Sequence, residues 1–61
     1  MSIWKTFPLD TPDDLDTVWV RVKYYYGTPF LAVYHLTDQR FISCINTITY
    51  PVWTISRWKP L

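Results

Sequence analysis

The stretch Thr17-Val18-Trp19-Val20-Arg21-Val22-Lys23-Tyr24-Tyr25 alternates without a break, and its period decides the fold class. Val18, Val20, Val22 and Tyr24 fall on one side of an extended chain, while Trp19, Arg21, Lys23 and Tyr25 fall on the other. Successive side chains of a strand point to opposite faces, so this period predicts a strand with a valine face toward a core and a ring-and-cation face toward solvent. β-branched and aromatic residues are also the ones that a pleated, half-buried surface accepts best.

Working outward, Tyr26-Gly27-Thr28-Pro29 breaks the run and reads as a connection, because Gly27 tolerates a positive φ and Pro29 fixes its own. Phe30 to Leu36 reads as a second strand with apolar residues on both parities, Phe30, Ala32 and Tyr34 against Leu31, Val33 and His35, so its inward side stays open. Thr37-Asp38-Gln39 makes a tight turn, and Arg40 to Ile45 a third strand with Phe41 and Ser43 opposing Ile42 and Cys44. Asn46 and Thr47 interrupt the pattern before Ile48, Thr49 and Tyr50, and Pro51 ends that piece or confines it to an edge. Val52 to Trp58 reads as the last strand, with Trp53, Ile55 and Arg57 on one side and Val52, Thr54, Ser56 and Trp58 on the other. Upstream, Ile3, Trp4 and Phe7 form an apolar arm, and Thr11-Pro12-Asp13-Asp14 reads as a helix start with Thr11 as N-cap, Pro12 at the first helical position and Asp14 at the third. The expected fold is mostly β: a small four-stranded antiparallel meander, strongly twisted or barrel-like, with one short helical turn over Pro12 to Leu15. Residues 1–61 form a single small β domain.

Rings take the place of length. A chain of 61 residues hides only about 60% of the surface its unfolded form exposes, so its stability is small unless large side chains supplement the core. Four Trp, five Tyr and three Phe supply that area, and a core this small leaves some of them at the surface, where they cover an open end or form a contact patch. Self-association into a homo-oligomer is one way to use them, through the rings or through an unpaired strand edge. The formal charge of +1 is far from the excess of a strong duplex or acidic-membrane binder. Its distribution is uneven: Asp10, Asp13, Asp14 and Asp16 crowd the front, while Arg21, Lys23, Arg40, Arg57 and Lys59 follow and could collect on one face.

The chemistry-bearing residues do not assemble into a reaction centre. The single Cys44 excludes an intrachain disulfide and a Cys-based zinc site, and reads as a small buried hydrophobe. His35, between Tyr34 and Leu36, reads as a structural or partly exposed strand residue. The front aspartates lack the central Gly and closing Glu of a calcium loop. The sequence therefore nominates no catalytic, cofactor-binding or metal-ligating residue and points to a non-enzymatic domain. With no basic-then-apolar leader and no long apolar run, it reads as a cytoplasmic chain that makes no use of a membrane. Its candidate interaction surface is Trp19, Arg21, Lys23 and Tyr25. Rings and Arg suit a protein partner or a second copy of the chain. The same strip gives the alternative of weak single-stranded nucleic-acid binding, by phosphate neutralisation and base stacking.

The two ends carry a further signal. Trp4, the Pro-containing acidic loop from Pro8 to Asp14, the Val-rich strand Val18 to Val22, Phe41 and the closing Trp58-Lys59-Pro60-Leu61 resemble the small phage- and prophage-associated domains of the domain-of-unknown-function family 551. The chain departs from that pattern in having Asp13 and Asp14 where the acidic loop usually carries Gly, Arg57 where a His often precedes the closing Trp, and no Pro-rich tail. The resemblance implies a phage-linked accessory protein in the host cytoplasm and implies no mechanism.

Overall fold

The computed structural model describes residues 3–24 and 27–61. Among these residues six strands form one antiparallel sheet: β1 (Lys5–Thr6), β2 (Thr17–Val22), β3 (Phe30–His35), β4 (Arg40–Ser43), β5 (Thr49–Pro51) and β6 (Ile55–Pro60). Their spatial order is β1-β6-β2-β3-β4-β5. The sheet is not closed, and β1 and β5 are its two edges.

This corrects the four-stranded meander in two ways. Two further strands exist, β1 in the N-terminal arm and β5 ending in Pro51, each only 2 or 3 residues long and too short to show a period. The closing strand also does not continue the meander. After a 3-10 turn over Val52–Thr54, β6 returns to pair with β2 at the other side of the sheet. Pro51, at φ −57°, ends β5, and the turn after it ties separate parts of the chain together. The Val52 N–H donates to the Gln39 carbonyl at 3.2 Å, and the Thr54 carbonyl accepts from the Lys23 N–H at 2.7 Å.

The predicted helical turn over Pro12 to Leu15 is absent. A single turn stands there, closed by the Asp16 N–H donating to the Asp13 carbonyl at 3.1 Å, and the segment then bonds to β3: the Leu15 N–H donates to the Tyr34 carbonyl at 2.7 Å, and the Tyr34 N–H donates to the Asp16 carbonyl at 3.0 Å. Asp14 does act as a cap, but of a distant N–H, that of Leu36 at 3.0 Å. Leu15 has φ 67°, a value that a right-handed helix cannot continue through. Long-range pairing supplies what the local cap would have supplied, so the helix has no advantage here.

Alternation sorts the two faces of the sheet. Val18 and Val20 of β2, Ala32 and Tyr34 of β3 and Phe41 and Ser43 of β4 are buried together with Ile55 and Trp58 of β6. The buried Ser43 hydroxyl is satisfied, accepting the Ile45 N–H at 3.2 Å. Phe7, from the arm after β1, covers this face: its ring meets Phe41 edge-on at 5.5 Å and Tyr34 at 6.1 Å between centroids. Trp58 is fixed by its indole N–H, which donates to the Asp10 carbonyl at 2.8 Å.

Three expectations about facing change. In β6 the pairing slips beside Arg21, so that Arg21 opposes Arg57 while Val22 opposes Ile55. The extra residue, Ser56, makes a bulge whose hydroxyl donates to the Arg21 carbonyl at 3.2 Å. A bulge reverses parity, and Ile55 therefore joins Trp58 in the core while Arg57 faces away. In β2 the strand stops at Val22, and Tyr24, at φ 60°, is 95% exposed rather than inward. Cys44 is exposed rather than buried, because β4 ends at Ser43 and the chain turns there.

Candidate functional site: the open sheet face

The face opposite the core is built by register. Trp19 of β2 lies directly between Lys59 of β6 and Leu31 of β3. One row along, Arg21 lies directly opposite Arg57, whose other neighbour is Thr6 of β1. A third row runs through Thr17, Val33, Ile42 and Thr49, and a fourth through His35, Arg40 and Pro51. Trp4 lies against the first two rows: the Arg21 guanidinium is 5.3 Å and the Lys59 ammonium 4.9 Å from its ring centroid. Both distances fall within the range over which a ring attracts a cation.

The electrostatics of this face are one-sided. None of the five Asp lies in a strand, so the strands contribute no carboxylate to it. Arg40 is offset by Asp38, with Nη2 to Oδ2 at 3.1 Å, in the one ion pair among the described residues. Arg21, Arg57 and Lys59 have no such partner there. Like charges directly opposite across a ladder are destabilising, so the Arg21–Arg57 pair is a feature that folding alone disfavours.

The sequence-predicted surface is placed in part. Trp19 and Arg21 share this face. Lys23 lies past the end of β2, in the wall of a cleft of about 520 Å³ with Tyr34, Leu36, Gln39, Val52 and Trp53. Tyr25 lies outside the described residues. Trp4, Leu31, Arg57 and Lys59 join instead: Arg57 and Lys59 because β6 lands beside β2, and Leu31 because β3 pairs with β2 in the register that sets it against Trp19. The late clustering of cations in the sequence was the available signal.

The cleft beside Lys23 has different chemistry. Trp53 is 70% exposed at its rim, and burial together with the nearby Asp14 charge raises the Tyr34 hydroxyl above the usual tyrosine range. Among the described residues no group of three or more His, Cys, Asp and Glu is placed to hold a metal ion, and no helix is long and apolar enough to cross a membrane. No family model, curated protein or solved structure matches this chain.

Proposed function

We propose that the chain is a non-enzymatic interaction domain whose open sheet face docks an anionic partner. The observation that carries this reading is the Arg21–Arg57 pair, two exposed cations held directly opposite each other with Lys59 adjacent and no carboxylate paired to them among the described residues. A ligand's negative charge removes the repulsion that the free domain retains. Trp4 keeps Arg21 and Lys59 in place before any partner arrives, which lowers the cost of ordering two long side chains.

A foreign partner fits this face better than a second copy. A two-fold contact would set the same patch against itself, cation against cation. The sheet edges are also poor docking strands, since β1 has 2 residues and includes Lys5, and β5 has 3 and ends in Pro51. The resemblance of Trp4 and of Trp58 to Leu61 to the phage-associated family supports an accessory role in the host cytoplasm.

Retention on an immobilised polyanion such as heparin tests the reading. Arg57→Glu and Lys23→Glu change the net charge equally, but only the first alters the sheet face. The expected result is a clear loss of retention for Arg57→Glu and little change for Lys23→Glu. Equal losses would mean that net charge, and not this face, governs binding.

A further inference from the structure

We infer that the anionic partner is a single-stranded nucleic acid, laid across β6, β2 and β3 with Trp19 as the base platform and Arg21 and Arg57 as a clamp on one phosphate; this rests on the docking face proposed above. Three features separate a nucleic-acid strand from an acidic protein segment.

The first is the order of rings and charges. Trp19 and Arg21 are two residues apart on one face of β2, about 6.8 Å along the strand. That is close to the reach from a phosphate to the base it carries. The second is convergence. Directly opposed residues on neighbouring strands have Cβ atoms about 5 Å apart, so Arg21 and Arg57 can close on a single phosphate from both sides. A carboxylate on a flexible side chain needs only one of them. The third is the ring itself. Trp19 lies in register between Leu31 and Lys59, half-buried and on the face away from the core. An indole face stacks on a base of any identity, which an acidic peptide does not offer, and recognition should be sequence-tolerant.

Trp19 faces away from the core and is half-buried, so it can be replaced without opening the interior. Trp4 is already covered by two cations and serves as their support rather than as a second platform.

The experiment is fluorescence anisotropy with a labelled oligodeoxythymidine of about 16 nucleotides, a duplex of equal length and a labelled Glu-rich peptide, each titrated across a range of salt. The single strand is expected to bind more tightly than the duplex and the peptide, with log affinity falling against log salt at a slope of about −1.4 for two contacted phosphates, one held by Arg21 and Arg57 and one by Lys59. Trp19→Leu should weaken it about 5- to 150-fold at unchanged slope, and Trp19→Tyr should restore most of the loss. Arg57→Gln should weaken binding while reducing the slope by less than about 0.7, since Arg21 still holds the shared phosphate. A peptide that binds while the single strand does not would overturn the nucleic-acid assignment and leave the docking face standing. So would equal binding of single strand and duplex with no effect of Trp19→Leu. Failure of all three probes at low salt would remove both.

Discussion

Replacing Phe7 with Ala should remove a large share of the domain's stability, although the residue lies in an arm outside the four strands expected from the alternation. Phe7 is 7% exposed and meets Phe41 and Tyr34 edge-on at 5.5 and 6.1 Å. Burying a Phe side chain contributes about 1.5–3 kcal/mol, and each edge-to-face pair adds about 0.5–1.5 kcal/mol. Truncating a buried Phe to Ala costs about 3–5 kcal/mol. The arm can partly collapse into the vacated space, because it is tied to the sheet by the short β1 and by the Phe7 N–H donating to the Ser56 carbonyl at 3.1 Å. The low end, about 3 kcal/mol, is therefore the expected loss. A domain of this length holds about 3–9 kcal/mol in total, so Phe7→Ala removes at least a third of it. At about 4–8 °C per kcal/mol, the Tm should fall by about 12–24 °C. Urea unfolding followed by tryptophan fluorescence and by circular dichroism gives the value, with Leu9→Ala, 87% exposed in the wild type, as a control expected to stay within about 0.5 kcal/mol. A loss below about 1 kcal/mol at unchanged m-value, or equal losses for both variants, would show that the arm does not close the core.

Three further outcomes follow from named contacts. Asp14→Ala should cost about 1–2 kcal/mol by removing the acceptor of the Leu36 N–H, while Asp14→Asn keeps an acceptor and should lose clearly less, as read by urea midpoints. The folded pKa of Tyr34 is raised by burial first and by Asp14 second, so the fold binds its proton more tightly than the unfolded chain; stability is full below about pH 10 and falls as pH rises through the folded pKa. The difference in phenolate absorbance between the wild type and Tyr34→Phe should show the Tyr34 hydroxyl ionising late, and Asp14→Asn should lower its pKa. Arg57→Glu should stabilise the domain by about 0.2–1 kcal/mol, since it turns the repulsion opposite Arg21 into attraction, while abolishing binding to polyanions. Thermal melting beside the heparin assay checks both halves, and a destabilised variant would count against the strained pair.

The parts of this fold legible in the sequence are those set by local alternation. Val18 and Val20 face inward and Trp19 and Arg21 outward as the period requires, and Phe41 and Ser43 share a side. The parts that were not legible depend on partners far along the chain. A 2-residue strand such as β1 exists only because β6 is beside it. Ile55 and Arg57 share parity in the sequence, and only the bulge opposite Arg21 separates them. Pro12 and Asp14 satisfy every local rule for a helix start, yet Leu15 and Asp16 find backbone partners at Tyr34. The candidate face was half visible for the same reason: two of its residues lie on one strand, whereas Trp4, Arg57 and Lys59 arrive from the two ends of the chain. Lys23 was misplaced because the alternation outlasts the strand, which stops at Val22.

The most direct test of where an anionic partner lands is a two-dimensional NMR titration of the ¹⁵N-labelled domain with oligodeoxythymidine at low salt. Shifts should concentrate on the Trp4 and Trp19 indole N–H signals and on the amides of Arg21, Leu31, Arg57 and Lys59, with those of Lys23, Leu36 and Trp53 little changed. Shifts centred instead on Lys23, Leu36 and Trp53 would place the ligand in the Tyr34 cleft and contradict the open sheet face as the docking surface.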